Sequence, residues 1–198
     1  LIIAGHETTA NALNWTWYLL GEHPDVEAKL HAELATLPEE SVASLQSLET
    51  LKYANFVIRE TLRLYPPVWV ISRRTIGADT LAGYHVPPDT DVFFCPWFVH
   101  RHPDFWPDPD AFLPERFENA DDERPKLTYV PFSAGPHHCI GEALSFFEML
   151  AHLNRFARRF RLRRIDSTPI RLEAAINLRS IDPFIMRLER RQQGTSAS

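Results

Sequence analysis

The most informative segment of the chain is Phe132-Ser133-Ala134-Gly135-Pro136-His137-His138-Cys139-Ile140-Gly141. It places Cys139 where a loop that contains glycine and proline enters a predicted helix. Unpaired backbone N–H groups and the positive end of the helix dipole stabilise a thiolate at such a position. A thiolate is a strong ligand for a transition metal, and Gly135 allows the backbone to turn and to approach a flat group closely. These features suit a ligand role for Cys139, but the segment alone does not decide it.

Three interpretations of this segment remain open when it is taken alone. An unpaired cysteine is most often an inert, packed side chain. His137, His138 and Cys139 could together bind zinc, although three consecutive side chains diverge and the usual ligand spacings are absent from the sequence. A nucleophilic cysteine needs a base and an orienting group, and the sequence carries no signature of that kind.

Three further motifs accompany the cysteine segment along the chain. They are Ala4-Gly5-His6-Glu7-Thr8-Thr9, Glu60-Thr61-Leu62-Arg63 and Pro114-Glu115-Arg116-Phe117. Each motif is short and weak by itself. Taken together, in this order and at this spacing, the four segments resemble the oxygen-activation, Glu-x-x-Arg, Pro-Glu-Arg-Phe and haem-loop motifs of the cytochrome P-450 family. The resemblance covers essentially the whole chain.

The resemblance implies a mainly α fold with small β-sheets, which is the C-terminal portion of the cytochrome P-450 fold. We expect residues 1–198 to be the C-terminal part of a single domain whose N-terminal half is absent, because the chain opens on an apolar run at Leu1. Local patterns predict the remaining organisation: helices at residues 1–21, 24–37, 51–64 and after Gly141, short strands between Pro67 and Val92, a proline-rich coil over 96–125, and a closing hairpin over 168–190.

The family resemblance also implies a cofactor, haem b (iron protoporphyrin IX). Cys139 is the expected axial ligand of the iron, in a loop that includes Phe132 and Gly135. Arg73 and His137 are the expected partners of the haem propionates. His137 departs from the family pattern, which most often has arginine there, so an imidazole replaces a planar fork of donors.

Two groups of residues are expected around the reacting atoms. Glu7 and Thr8 match the family's acid–alcohol pair, which is implied to deliver protons during oxygen activation. The alternative for Thr8 is structural, since a threonine hydroxyl can bond the preceding helical turn. The resemblance places substrate contacts at the apolar residues Val68, Val70 and Phe184, for which plain core packing is the alternative.

A structural network is expected on the Glu-x-x-Arg helix. Glu60 and Arg63 are three residues apart, on one helical face, and can pair directly. Their apolar neighbours predict that both are buried, and the resemblance adds Arg116 as the third member. Cys95 follows an apolar run and is expected to be a packed core residue, whereas His100 has no predicted role beyond surface or indirect contacts.

The composition is that of an ordinary globular protein, with 24% charged and 44% hydrophobic residues, which excludes a disordered or fibrous chain. The formal net charge is −5, and 2 cysteines exclude a disulfide framework. Residues 151–198 nevertheless carry 11 arginines against 4 acidic side chains. This arginine cluster has its densest part at Arg155, Arg158, Arg159, Arg161, Arg163 and Arg164. It can attract nucleic acid, an anionic membrane or an acidic protein, or it can be a solvated helix end.

The predicted function is that of a haem-thiolate monooxygenase, which inserts one atom of dioxygen into an apolar organic substrate. The expected partners are a hydrophobic small molecule, dioxygen and an electron-donor protein (a ferredoxin or a flavoprotein reductase) at the basic face, with no nucleic acid. Two alternatives stay open: a haem-binding fragment or pseudoenzyme without turnover, and a non-haem metal-binding domain. We expect the isolated 198 residues to be inactive. A cytoplasmic location is expected if the source is bacterial and the protein soluble, and an N-terminal anchor stays open.

Overall fold

The computed structural model describes residues 2–37, 48–119, 124–166 and 168–191, so Leu1, in the first predicted helix, lies outside it. The helices in these ranges are α1 (Ile2–Glu22), α2 (Pro24–Ala35), α3 (Lys52–Leu64), α4 (Pro96–Val99) and α5 (Glu142–Ala157), with 3-10 turns at Pro114–Phe117 and Gly135–His137. The strands are β1 (Ile71–Arg74), β2 (Asp79–Leu81), β3 (Tyr84–Val86), β4 (Asp91–Phe94), β5 (Phe160–Arg164), β6 (Leu172–Ala174), β7 (Leu178–Ser180) and β8 (Met186–Arg190). The predicted mainly α fold with small sheets is confirmed. None of the described helices is long and apolar enough to cross a membrane.

The second helix begins where local chemistry favours a helix start, whereas the third is capped by a side chain of the second. α2 has Pro24 in its first turn together with Asp25, whose negative charge suits the positive end of the helix dipole. The start of α3 is held by the carboxylate of Glu33 on α2. This carboxylate accepts hydrogen bonds from the backbone N–H groups of Tyr53 at 2.6 Å and Ala54 at 2.8 Å. The same contact that caps α3 therefore docks α2 against it.

The helices α1, α2, α3 and α5 share one hydrophobic core. Its most deeply buried apolar side chains include Leu20, Leu30, Leu34, Ile58, Met149 and Leu153. Burial of one such side chain contributes about 1.5–3 kcal/mol. The core sets the relative positions of α1 and α3, which carry two of the motifs, and of α5, which follows the cysteine segment.

The described strands pair antiparallel, in the combinations β1–β4, β2–β3, β5–β8 and β6–β7. The predicted closing hairpin over residues 168–190 is therefore wrong in part. β6 and β7 do form a hairpin, but β8 pairs with β5, where Leu162 lies opposite Leu188. Alternating apolar residues predict a strand but not its partner, and β5 becomes the partner because it follows α5 directly and lies against α1.

The arginine cluster matches the solvated helix end of one interpretation only in its first part, since Arg155 lies in the last turn of α5 and Arg158 follows that helix. α5 ends at Ala157, and Arg161, Arg163 and Arg164 belong to β5. These three arginines make ion pairs within the chain: Arg161 with Glu189 at 2.7 Å, Arg163 with Glu27 at 3.0 Å, and Arg164 with Asp166 at 3.1 Å and Glu22 at 3.5 Å. Much of the positive charge counted in the sequence is therefore balanced locally.

Candidate functional site

A buried ion pair on α3 lies at the centre of a hydrogen-bond network. Arg63 donates from Nε to Glu60 Oε2 at 2.7 Å and from Nη2 to Glu60 Oε1 at 2.8 Å, and neither side chain is exposed. The other donors of Arg63 reach the backbone oxygens of His100 at 2.8 Å, Pro109 at 2.6 Å and Ala111 at 3.0 Å. All five N–H donors of the guanidinium are used, which removes the cost of burying it unpaired.

Arg116 joins the same carboxylate from the proline-rich coil. Its Nε donates to Glu60 Oε1 at 3.1 Å, and its two Nη groups donate to the backbone oxygens of Pro107 and Asp108. The backbone N–H of Leu113 also donates to Glu60 Oε1, at 3.0 Å. Hydrogen bonds from side chains to the backbone thus hold the proline-rich coil, which has little regular secondary structure. The three side chains predicted to form the network are in contact.

The backbone around Cys139 is sharply curved. Ser133 and Gly135 have positive φ angles of 64° and 68°, a conformation that is uncommon for serine and that fits the turn predicted at Gly135. The backbone N–H of Cys139 donates to the oxygen of Phe132 at 2.9 Å and closes the segment into a loop. α5 begins at Glu142, so the loop presents an exposed, free thiol close to the amino end of that helix.

A cavity of about 330 Å³ opens beside Cys139, and we call it the cysteine cavity. Thr8 of α1 lines it together with Phe132 of the loop, and Arg73 and His137 add nitrogen donors. The apolar part of the lining consists of Ala4, Ala12, Leu62, Pro67, Val68, Ile71, Pro131 and Phe132. Residues that the sequence proposes from separate motifs are therefore brought to one cavity.

Thr8 lies where the cysteine cavity meets a second hollow of about 550 Å³. Both are lined by Ala4, Thr8, Phe132, Cys139 and Ser145. Thr8 Oγ1 donates to the backbone oxygen of Ala4 at 2.7 Å, which is the structural alternative that the sequence offers for this residue. Because that bond uses only the hydroxyl hydrogen, the oxygen can still accept a hydrogen bond.

Glu7 lines a different cavity from Thr8. This cavity, of about 310 Å³, is also lined by His6, Asn14 and Arg179. The pKa of Arg179 is raised, mainly by its hydrogen bond to Glu173, with a smaller contribution from Glu7. Successive helical residues point about 100° apart, which turns Glu7 away from the cavity that Thr8 lines. The acid–alcohol pair predicted from the sequence is therefore divided between two cavities.

Of the three predicted substrate contacts, the structure places Val68 in the lining of the cysteine cavity. Val70 and Phe184 are not among the described residues that line it. Phe184 stacks on Tyr18, with 5.0 Å between ring centroids, and meets Trp15 edge-on at 4.9 Å. Phe184 is drawn away from the cavity because these aromatic contacts on α1 hold its ring.

Three of the lining residues that the sequence did not predict are Leu62, Pro131 and Ser145. Leu62 lies inside the Glu-x-x-Arg motif, and Pro131 precedes Phe132 directly, so both motifs could have indicated them. Ser145 lies in the first turns of α5, where no pattern marks it. Its Oγ accepts a hydrogen bond from Thr9 Oγ1 at 3.3 Å, which ties α1 to α5 near the cysteine.

The two histidines of the cysteine segment have different environments. His137 lines the cysteine cavity, whereas His138 Nε2 lies 2.5 Å from Glu142 Oε2 on α5. In the parts of the chain that the structure describes, no group of three or more His, Cys, Asp or Glu side chains could hold a metal ion. His137 and Cys139 thus share a cavity that His138 does not line, and the described residues contain no set of ligands for the zinc interpretation.

Cys95 is only half-buried, so the prediction of a packed core residue is wrong. It precedes α4, and its Sγ lies 3.1 Å from the backbone oxygen of Trp69, to which it donates. A thiol that donates to a loop carbonyl lies at the edge of the core, where the chain turns from β4 into α4.

His100 is fully buried, although the sequence predicts no role for it. Its Nε2 accepts a hydrogen bond from the backbone N–H of Val130 at 2.9 Å, and its Nδ1 lies 3.3 Å from the backbone oxygen of Arg63. Its ring stacks on Tyr129 with 5.4 Å between centroids. Burial lowers the pKa of His100 to about 3. The segment around His100 carries no pattern that would have indicated these contacts.

Comparison with known proteins identifies related chains. The family model described as Cytochrome P450 matches residues 1–183. Curated relatives include cyclooctatin synthase of Streptomyces melanosporofaciens (39% identical, covering 90% of this chain), cytochrome P450 4V2 of Homo sapiens (39%, covering 94%) and cyclooctat-9-en-7-ol 5-monooxygenase of Streptomyces melanosporofaciens (38%, covering 85%). The matches cover 39%, 36% and 37% of these relatives, so the chain spans well under half of their length.

Proposed function

Because the chain belongs to the cytochrome P450 family, we propose that it forms the haem-binding part of a haem-thiolate monooxygenase. The proposed reaction inserts one atom of dioxygen into an apolar organic substrate and reduces the other atom to water. The observation that carries this proposal is the cysteine cavity, which combines an exposed free thiol, apolar walls and the nitrogen donors of Arg73 and His137 in one lining.

The residues at this cavity fit a haem. A haem needs an axial ligand, apolar contacts for the faces of its ring and hydrogen-bond donors for its propionates. The space beside Gly135 is open, since a Cβ there would meet nothing within 4 Å. We propose that Cys139 holds the iron of haem b, that Phe132 and Gly135 shape the loop beneath the ring, and that Arg73 and His137 bind the propionates.

The haem supplies the chemistry that activates dioxygen, and donation from a thiolate ligand favours cleavage of the O–O bond. The chain's own residues supply its surroundings. We propose that the Thr8 oxygen accepts a hydrogen bond from a water molecule in the cavity and holds that proton donor in place. The apolar residues Leu62, Val68 and Ile71 exclude bulk water and favour an apolar substrate.

Glu7 has a separate place in this proposal. Its cavity also contains asparagine, arginine and aspartate side chains, so it is suited to ordered water. We propose that Glu7 exchanges protons with solvent there and passes them toward Thr8 through water along α1. The carboxylate acts at a distance from the cysteine cavity and does not touch the substrate.

The proposed partners are dioxygen, a hydrophobic small molecule and an electron-donor protein, a ferredoxin or a flavoprotein reductase. The arginine cluster contributes less positive charge to a donor surface than its sequence indicates, because Arg161, Arg163 and Arg164 are paired with carboxylates. We also propose that residues 1–198 belong to a single domain, since α1, α2, α3 and α5 share one core.

A spectroscopic experiment tests this function. The protein is expressed at its full natural length, reduced and exposed to carbon monoxide, and its absorption spectrum is recorded. A strongly red-shifted Soret band supports a thiolate-ligated haem at Cys139. A protein that contains zinc in place of haem iron, or whose Soret band is not shifted, contradicts the proposal. Oxygen consumption coupled to substrate oxidation then separates a monooxygenase from a haem protein without turnover.

A further inference from the structure

His100 lies between the buried network and the cysteine segment. Its backbone oxygen accepts a hydrogen bond from Arg63 Nη1 at 2.8 Å, and its side chain accepts one from the backbone N–H of Val130 at 2.9 Å. The ring is fully buried. One residue of the proline-rich coil therefore contacts both the centre of the network and the chain that leads into the loop of Cys139.

The hydrogen bonds assign the protonation of this imidazole. Burial keeps the ring neutral, since the pKa of His100 is lowered to about 3, and a neutral imidazole has one donor and one acceptor nitrogen. The backbone N–H of Val130 can only donate, so Nε2 is the acceptor. Nδ1 then carries the hydrogen and points it toward the backbone oxygen of Arg63 at 3.3 Å.

A short path of backbone contacts leads from Val130 to the sulfur-bearing residue. The Val130 oxygen accepts a hydrogen bond from the N–H of Ser133 at 3.1 Å, and the Phe132 oxygen accepts one from the N–H of Cys139 at 2.9 Å. Val130 is itself buried. Without the His100 ring its N–H loses the partner that the structure gives it, and an unpaired buried donor is costly.

We propose that His100 is a positioning residue for Cys139. Its Nε2 holds the Val130 N–H and thereby sets the position from which the loop presents the sulfur. The inference rests on the proposed function, because the placement of the sulfur matters for binding the haem iron. His100 is not among the described residues that line the cysteine cavity, so we infer that it acts through the backbone of residues 130–139.

Two amide variants separate the two bonds of the ring. In His100→Gln, the side-chain oxygen reaches the position of Nε2 and can accept from Val130, but the bond to Arg63 is lost. In His100→Asn, the amide nitrogen takes the position of Nδ1 and can donate to the Arg63 oxygen, but nothing reaches Val130. Both variants remove the ring and its stacking on Tyr129, so they are matched for that loss.

The variants are compared in the full-length protein by haem content and by the spectrum of the reduced carbon monoxide complex. We expect His100→Gln to keep the red-shifted Soret band. We expect the ratio of red-shifted to unshifted haem to fall roughly tenfold in His100→Asn, as the loss of one buried hydrogen bond implies. A wild-type spectrum in His100→Asn, or an equal loss in both variants, overturns the inference.

Site-resolved hydrogen exchange of the Val130 amide, measured without haem, tests the inference independently. We expect slow exchange in the wild type and in His100→Gln and fast exchange in His100→Asn. Should His100→Asn fail to fold, slow exchange in the other two proteins supports the inference. Fast exchange in the wild type overturns it. If the wild type lacks the red-shifted band, the proposed function fails, and these exchange rates still decide whether His100 holds Val130.

Discussion

Arg63 holds both carboxylate oxygens of Glu60 on the same helix, at 2.7 and 2.8 Å, with neither side chain exposed. Because its remaining donors bind backbone oxygens 37 to 48 residues further along the chain, this one pair connects α3 to the coil that precedes the cysteine segment. We therefore expect loss of the ion pair to disturb the segment that carries Cys139.

Replacement of Glu60 by alanine should destabilise the protein strongly. It leaves the buried guanidinium of Arg63 without a carboxylate, which costs about 3–5 kcal/mol, and it also removes the acceptor of the Arg116 Nε. We expect Glu60→Ala to be recovered without bound haem and to unfold at a lower urea concentration. Asp91→Ala is the matched control, because Arg74 binds Asp91 through two bonds of 2.8 Å on the exposed surface. A Glu60→Ala protein with normal haem content would show that the network does not support the site.

Replacement of Cys139 by serine should abolish the red-shifted Soret band of the reduced carbon monoxide complex, because a hydroxyl is a poor ligand for iron compared with a thiolate. Cys95→Ser is the control. Its hydroxyl can still donate to the Trp69 oxygen, so we expect an unchanged spectrum. The assignment of the axial ligand is wrong if Cys95→Ser loses the band and Cys139→Ser keeps it.

Replacement of Thr8 by alanine should divert electrons from substrate to hydrogen peroxide. The variant loses the hydroxyl at the wall shared by both cavities, so a proton donor is no longer held there. We expect haem binding to persist and peroxide release per electron pair to rise. Thr8→Ser should restore coupling.

Thr16→Ala provides the control for Thr8, because Thr16 Oγ1 makes the same bond to the backbone oxygen of Ala12, at 2.8 Å, in the same helix. Thr16→Ala also removes a hydroxyl that is bonded to the preceding helical turn, but Thr16 is not among the described residues that line the cysteine cavity. Equal peroxide release in Thr8→Ala and Thr16→Ala would assign the effect to the helix and not to proton delivery.

The burial of His100 predicts a dependence of stability on pH. Its pKa is lowered from 6.5 to about 3, mainly because burial penalises the cation, and Arg63 and Arg101 add repulsion. Above pH 6.5 the His100 ring is neutral in both the folded and the unfolded protein, and it makes its full contribution to the free energy of unfolding. As the pH falls from 6.5 toward 3, the unfolded chain takes up a proton that the folded chain does not, so stability decreases. Within this range, each pH unit of acidification lowers the free energy of unfolding by up to about 1.4 kcal/mol.

This dependence is measured from urea unfolding of the wild type and of His100→Gln between pH 7 and pH 4. The variant serves as the comparison because glutamine does not titrate in this range. We expect the free energy of unfolding to fall less steeply with acid in the variant, whatever its stability at neutral pH. Parallel curves for the two proteins would show that His100 does not titrate on unfolding.

Much of the fold could be predicted from local patterns. Proline at the start of α2, the prolines after α3 and glycine before α5 set helix limits within a few residues of those observed. The pairing of Glu60 with Arg63 follows from their helical spacing alone. The strand partners could not be predicted in the same way, because alternation within β8 does not distinguish β5 from β7 as its neighbour.

For the candidate site as well, part of the arrangement could be predicted from the sequence and part could not. The motifs and the family resemblance proposed Cys139, Thr8, Arg73 and His137, which share one cavity. They also proposed Phe184, which aromatic packing on α1 holds elsewhere. A motif specifies residue types at a spacing, whereas the lining of a cavity depends on which face of each element is turned inward.

By itself the sequence determined the helices, the family resemblance and the place of a cysteine before a helix, because propensity, capping and periodicity act over a few residues. Only the tertiary structure decided that Glu7 and Thr8 line different cavities, that Arg163 pairs with Glu27 across 136 residues, and that His100 holds Val130 across 30. Contacts at such separations arise when whole elements dock. They depend on the shape and burial of both partners, which no local pattern encodes.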